Sequence, residues 1–476
     1  MKGHTSRADA VGRPPLVARA RRLSSAAPWL ALAALVVTLA LAYAIKAACV
    51  GGQPSFWGDT RYCHSDAWLL RSFRYSDVSI LWSLRGFDVD AVPYAPPPGD
   101  YPTDYTFEYP PGLTFPAWLI ALVTSSRAAF FNIHALTFAI AALAATAALT
   151  NALRALGRSP WRLLGFALSP GLVLFAMHNW DVWAVALTAA GLASASRGRP
   201  KWAGFWFGLG AATKWWPGLL VVTLLAGPWA PGDETGDPLR RLRTRAEPLL
   251  VAAAVWLAVQ LPAMLIGIRG WAAATLFHLR RPPNPDSAGA VVAAVGSWLL
   301  PGPFWAEPFT VFTTVVSLGV LMGGVLFVVS RLARHRLDPG DAALALVGLF
   351  LLTGKVFSPQ FVLWLLPVAV LARVTWWPMA AVELTNAAVW LLYYAPWVVP
   401  QSDGSPLLTA DQAVAVPRSF AVAWLVLAAL RSRGSARSLP PLPLVRQEGA
   451  DEQQPETADS GEQAQVAVTD LPRQEE

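Results

Sequence analysis

Charge is scarce in this sequence. Lys, Arg, Asp and Glu supply 14% of its 476 residues, against 55% hydrophobic residues. A soluble domain carries about 25% charged residues. The apolar residues run in long blocks instead of at amphipathic spacing, which excludes a soluble globular chain and leaves a polytopic membrane protein. There is no metal-ligand spacing of His, Cys, Asp and Glu, no Gly-rich phosphate loop and no nucleophile elbow. The sequence therefore offers no support for a metal centre, a bound nucleotide or a serine-type esterase, and no cofactor is expected. No internal repeat and no soluble catalytic domain are visible. Cysteine is nearly absent: Cys49 and Cys63 are the two in the chain. Both fall on the side read below as external, where a disulfide and a pair of buried thiols both remain open.

Tryptophan is abundant, at 23 residues, and many indoles lie at the ends of apolar blocks, as suits the water–lipid boundary. The net charge of +7 is no nucleic-acid signal, because the Arg residues sit in short loops between apolar blocks, the pattern that sets topology. The basic segment 1–28 reads as a cytoplasmic tail. The block 29–49 is long enough to span and shows no small-residue cleavage site, so it reads as a retained first span. Residues 50–112 then form a large first external loop, in which 66–86 carries apolar residues at helical spacing, as an interfacial helix does. The apolar part of EYPPGLTFPAWLIALVTSS is short of the ~20 residues that a full span needs, and reads as re-entrant. Alternating Arg-rich loops place 130–153, 163–177, 182–196, a hairpin broken at Lys214, 248–268, 309–330, 341–353, 361–372, 377–396 and 417–430 in the membrane, with a short apolar piece at 288–300. The expected fold is all-α, a polytopic helical bundle of about 12 crossings with both termini inside. The transmembrane domain runs over 29–432, and 433–476, rich in Pro, Gln and Glu, reads as a disordered acidic cytoplasmic tail.

That topology rests on Arg placement, yet it also gathers most of the remaining conspicuous polar residues on the external side. They are Asp59, Asp66, Glu108, Asn179, Asp181, Lys214, Arg280, Arg281, Lys355 and Gln360. Ionisable groups near lipid are costly and tend to line sites or pathways. Acids and cations on one face suit a site that handles an anionic group and a proton. Structural roles stay open for most: capping for Asp66 and Asp181, a backbone contact for Glu108, lipid headgroups for Arg280 and Arg281, snorkelling for Lys355. Lys214 interrupts an apolar block and points to function most directly. His134 and His178 read as structural.

Several pieces, in order, resemble glycosyltransferase family 87 of the C-type membrane glycosyltransferases: YCHSDAWLL followed by RGFDVDAVPY, EYPPGLTFPAWL, HNWDVWAVALTAAGLASASRGRP, GFWFGLGAATKWWPGLL and KVFSPQFVLWLLP. The resemblance covers about 57–374, and the composition suits an actinobacterial source. It implies a GT-C-like bundle in the cell membrane that moves a sugar, mannose by preference, from a polyprenyl monophosphate to a glycolipid, polysaccharide or glycoprotein acceptor on the external face. An acid of the first external loop would be the general base; carried to this chain that position is Asp66. Lys214, Lys355, Arg280 and Arg281 would hold the donor phosphate, and Asp59, Glu108, Asn179, Asp181 and Gln360 the acceptor or sugar. The partners implied are membrane lipid, donor and acceptor, with no nucleic acid. Some members carry a His pair where Gln360 and Phe361 stand here, so that role does not transfer. A lipid or polyprenyl-phosphate-sugar flippase and a non-catalytic envelope-assembly protein of the same fold are the rival readings.

Overall fold

The computed structural model describes residues 15–47, 50, 74–89, 91–96, 107–230, 237–305, 307–394 and 410–432. Helices make up this part of the chain, and among the described residues there is no strand. This is what a chain with few charges and long apolar blocks is left with, since a helix satisfies its own backbone without water. Five stretches are long and apolar enough to cross a membrane: 25–47, 127–155, 242–280, 307–333 and 412–431. They lie in α1 (Pro15–Ala47), α4 (Arg127–Ala155), α9 (Pro238–Arg280), α11 (Glu307–Ala333) and α15 (Ala410–Arg431). Helix α1 starts at Pro15, so helix continues into the segment read as a basic tail.

Where shorter passes were expected, the helices come in pieces, and proline explains the breaks. The stretch 163–177 is split into α5 (Leu163–Ala167) and α6 (Pro170–Phe175), because Pro170 cannot continue the ladder of α5. The freed polar groups are met from α14 (Trp376–Tyr394): Ser169 Oγ donates to Glu383 Oε1 at 2.6 Å and the Gly171 amide to Glu383 Oε2 at 2.8 Å. The hairpin break appears as α8 (Pro200–Thr213), an extended Lys214 and a 3-10 stretch Trp216–Leu224 opening on Pro217. The re-entrant segment is α3 (Pro111–Ala121), half the length of a span. The interfacial helix read over 66–86 is corrected. Among its described residues, Arg74 to Ser76 are not helical, Ser76 is extended (φ −142, ψ 125), and the helix is only α2 (Asp77–Leu84). Six of the eight residues of α2 are buried in the protein, because its apolar face meets α4 and not a lipid surface.

The core forms around α13 (Val362–Leu371), every residue of which is buried. A helix that is apolar all round asks for such a place, and α13 packs against α4, α7 (Asp181–Ser196), α12 (Pro339–Thr353) and α14. Helices α4, α7, α8 and α9 follow one another in the packing. At the α8–α9 contact, a Cβ on Gly204 or Gly208 would lie 2.2 or 2.4 Å from the carbonyl oxygens of Pro248 and Ala252. Two glycines one turn apart thus let the backbones touch, the usual adhesive between helices where lipid is no less apolar than Leu. By contrast α11 leaves Val311, Phe312, Val315, Leu318 and Met322 exposed, the face expected toward hydrocarbon. α10 (Ala288–Leu299) is a further short apolar helix.

Candidate active site

The segment before α2 is fastened to the turn between α6 and α7. Ser76 Oγ donates to the carbonyls of Met177 (2.9 Å) and His178 (3.1 Å), and the Asp77 amide donates to His178 O at 2.8 Å. In return His178 Nδ1 lies 3.0 Å from Tyr75 O, and Lys46 Nζ of α1 donates to the same carbonyl at 2.8 Å. A carbonyl accepts only, so His178 carries its proton on Nδ1. The histidine therefore positions backbone, as expected of it, and His134 likewise bonds Phe130 O at 2.8 Å. Two segments a hundred residues apart are locked side by side, with Asp77 at the seam.

Asp77 is 8% exposed, and its carboxylate is surrounded by donors. The Tyr75 hydroxyl donates to Oδ1 and the Asn179 amide to Oδ2 in short hydrogen bonds, and the Tyr109 hydroxyl lies 3.4 Å from Oδ2. Burial pushes the acid up from its ordinary value to about 6, with the Glu108 charge adding to the rise; the donors Tyr75 and Asn179 and the Lys214 charge hold it from going further. This acid exchanges a proton near neutral pH, and Oδ1, which accepts from Tyr75, retains a lone pair for a substrate hydroxyl.

Lys214, where α8 ends in extended backbone, brings a cation to the same cluster. Its Nζ donates to Asn179 Oδ1 at 3.2 Å, stands 3.4 Å from Asp181 Oδ1 and lies 4.8 Å from the Tyr109 ring centroid. Asp181 Oδ1 also accepts from Trp364 Nε1 of α13 at 2.7 Å. Its Oδ2 is buried without a hydrogen-bond partner among the described residues. Asp181 opens α7 but makes no side-chain cap, so its carboxylate serves the cluster and not the helix end.

The expected residues divide as follows. Asn179, Asp181 and Lys214 come together directly. Glu108 is next to them through Tyr109, pairs with Arg85 Nη2 at 2.8 Å and offers its carbonyl to His278 Nε2 at 2.7 Å. Gln360 is buried in the single turn Pro359–Phe361, and Phe361 stacks on Trp364 with centroids 3.8 Å apart. Lys355 and Arg281 form a second cationic group. Lys355 Nζ donates to Leu279 O at 2.8 Å and Arg281 Nη2 to Asn284 Oδ1 at 2.6 Å. Burial and then the Arg281 charge hold Lys355 below its ordinary value. Arg280 is exposed at the end of α9. Asp59, Asp66, Cys49 and Cys63 lie outside the described residues. Among the described residues no group of three or more His, Cys, Asp or Glu is placed to hold a metal ion.

Asp77, Tyr75, Tyr109 and Trp364 were not anticipated. One signal was available: Ser76–Asp77 repeats the pairing of Ser65–Asp66 within the same loop. The other was hidden, because the partners that make Asp77 special are the distant Tyr109 and Asn179. The profile of glycosyltransferase family 87 matches residues 107–359, more than half of the chain, and takes in Glu108, Tyr109, Asn179, Asp181, Lys214, Arg281 and Lys355. No curated protein matches the chain.

Proposed function

Because the chain belongs to glycosyltransferase family 87, we propose that it is a membrane glycosyltransferase whose general base is Asp77 and whose donor is a polyprenyl-monophosphate sugar. Mannose is the favoured sugar, a cell-envelope glycolipid, polysaccharide or glycoprotein the acceptor, and the external face of the cell membrane the place of transfer. The observation that carries this reading is a buried carboxylate held near neutral pH beside an ammonium group shared by Asn179 and Asp181. A glycosyl transfer from a phosphate needs both parts. The acceptor hydroxyl loses its proton to a base as its oxygen attacks the anomeric carbon. The bond from that carbon to the phosphate oxygen breaks, and the leaving phosphate takes the electron pair.

In this chain Asp77 takes the proton, Tyr75 and Asn179 hold its carboxylate in place, and inversion follows from attack opposite the departing phosphate. Lys214, in the Asp77 cluster, is the cation offered to the developing phosphate charge, which a low-dielectric pocket otherwise leaves unpaired. Arg281, Lys355 and the exposed Arg280 are the further cations proposed to hold that phosphate. Asp66, to which the family resemblance points as base, and Asp59 are tested against Asp77 below. A lipid-embedded donor fits a site built at the starts of α2 and α7 and at the end of α8.

The test is a transfer assay with the full chain in lipid nanodiscs, a radiolabelled polyprenyl-phosphate mannose and an envelope lipid extract. Label appearing in a new glycolipid or glycan, and absent with Asp77→Asn, supports the reading. Movement of intact donor across proteoliposomes without sugar transfer would replace it with a flippase.

A further inference from the structure

A groove of about 300 Å³ runs along α11 from Val320 to Val328, with Ala345 and Leu349 of α12 as its floor and Val426 and Leu430 of α15 as its far wall. Every lining residue is apolar. Both walls lean on the floor through glycine: a Cβ on Gly324 would collide with Leu349, and one on Gly348 with Val426. Gly323 faces open space, with no neighbouring heavy atom within 4 Å of a Cβ built there. At the helical rise the groove is about 12 Å long, most of the roughly 15 Å that one leaflet of hydrocarbon occupies. Helices α11 and α15 both hold stretches long and apolar enough to cross a membrane, so the groove opens on lipid.

One end of the groove is charged. Arg331, a turn beyond Phe327, holds its guanidinium 5.7 Å from the Phe327 ring centroid and donates from Nη2 to Leu430 O at 3.3 Å, so two lining residues fix it at the mouth. The same Nη2 reaches Arg336 O at 3.3 Å, and Nη1 keeps its protons for an anion. Arg334, His335 and Arg336 follow, all exposed, and the exposed Arg431 ends α15. The acids of this end are engaged elsewhere: Asp338 pairs with Arg158 and Arg373, and Asp341 accepts from the Arg373 amide and Ser432 Oγ. An apolar slot that ends in guanidiniums fits an acyl chain joined to an anionic headgroup. The donor does not fit here. The Arg331 turn adjoins the Pro339 end of α12, whereas Trp364, which binds Asp181, stacks on Phe350 near the Thr353 end. A phosphate at Arg331 therefore lies at the opposite end of α12 from the Asp77 cluster.

We propose that this groove binds an anionic glycerophospholipid: one acyl chain lies along Gly323 between α11 and α15, and the headgroup phosphate meets Arg331, with Arg334 and Arg336 around it. The occupant belongs to the leaflet on the side of the Arg331–Arg336 turn and is neither the donor nor the acceptor. The site goes beyond the glycosyl-transfer reading and stands without it, since it uses no residue of the Asp77 cluster.

The experiment is native mass spectrometry of the full chain released from detergent micelles. The probes are palmitoyl-oleoyl phosphatidylglycerol, phosphatidylcholine with the same chains, and glycerol 3-phosphate. One phosphatidylglycerol should be retained in preference to phosphatidylcholine, and glycerol 3-phosphate, which lacks the chains, should be lost. Arg331→Gln should weaken retention by roughly 10- to 150-fold, the scale of one charge-assisted hydrogen bond. Gly323→Leu fills the groove where no atom stands in the way, so the fold is kept and retention should fall. Gly302→Leu, which also meets open space but precedes α11 at its other end, should change nothing. Arg331 also holds the ends of two helices, so the exposed Arg334→Gln and melting curves give a separate check. Retention should fall in Arg334→Gln, and phosphatidylglycerol should raise the Tm of the parent and of Gly302→Leu but not that of Gly323→Leu. Equal retention of the two phospholipids, or glycerol 3-phosphate held as tightly as phosphatidylglycerol, overturns the proposal. So does retention unchanged in Gly323→Leu, which would leave a surface patch without a chain site. Displacement of phosphatidylglycerol by polyprenyl phosphate would give the groove to the donor and overturn it as well.

Discussion

The side-chain amide of Asn179 joins Asp77 to Lys214: its Nδ2 donates to the carboxylate and its Oδ1 accepts from the ammonium at 3.2 Å. The backbone amide of Trp180 also donates to that Oδ1, at 2.6 Å, and Nδ2 lies 3.0 Å from the Tyr109 hydroxyl, so the orientation of the amide is set by four groups. A proton acceptor and a cation for a leaving anion are thus held at a fixed separation by one residue of the α6–α7 turn.

The first expectation sets Asp77 against Asp66. Asp77→Asn keeps the shape of the side chain and removes its basicity. General-base catalysis contributes about 10²–10⁴-fold, so turnover should fall by that order while the variant still inserts and binds donor. Asp66→Asn should leave most of the turnover and Asp59→Asn should act on acceptor KM. Steady-state kinetics of the three variants decide it. A dead Asp66→Asn with an active Asp77→Asn would return the base to the position that the family resemblance indicates.

The second concerns pH. Burial raises Asp77 to about 6, and only its ionised form takes a proton. The kcat/KM for transfer should therefore rise from pH 5 to pH 7 with an inflection near 6. Stability should run the other way. The folded state binds this proton more tightly than the unfolded one, so it loses stability as pH rises from about 4 to about 6 and is level above. Asp77→Asn should flatten that limb of the melting profile; a slope unchanged in the variant would assign it to another group.

Lys214 supplies the third. Its removal takes a charge-assisted partner from the leaving phosphate, worth about 1.5–3 kcal/mol, or roughly 10- to 150-fold in kcat/KM for the donor. Asn179→Ala should reproduce part of both the Asp77 and the Lys214 defects, because it releases the two together. A double-mutant cycle between Lys214→Ala and Asn179→Ala checks this: additive losses would mean that the bridge couples nothing.

The fourth concerns orientation. In a Cys49- and Cys63-free background, a single cysteine at Ser125, exposed between α3 and α4, should react with a membrane-impermeant thiol reagent added to whole cells. One at Arg197, exposed at the end of α7, should react only after permeabilisation. The opposite result would put the Asp77 cluster on the cytoplasmic side and overturn the external site.

Much of the bundle was legible in the order of the residues because lipid leaves the backbone so little choice. The block at 130–153 became Arg127–Ala155, that at 182–196 became Asp181–Ser196 and that at 309–330 became Glu307–Ala333. The break at Lys214 was legible too, since a cation inside an apolar run demands a partner, and Asn179 and Asp181 are that partner. The family resemblance rested on ordered pieces of sequence and is carried by the match over 107–359.

Tertiary structure alone decided which acid is enclosed. Ser76–Asp77 reads locally like many helix starts, and apolar spacing cannot tell a helix lying on lipid from one lying on protein. Asp77 gains its raised proton affinity from burial and from the Glu108 charge, against the pull of the donors Tyr75 and Asn179, and Tyr109 and Asn179 arrive from distant positions once α2 packs on α4 and the α6–α7 turn. The bend of α9 (Pro238–Arg280) is of the same kind: Gly267 and Gly270 leave room for the carbonyl of Tyr94, and the helix leaves its regular geometry at Gly267. Residue type and period, which hydration and hydrogen bonding enforce locally, determined the helices. Proximity between remote segments, which packing enforces, decided the chemistry.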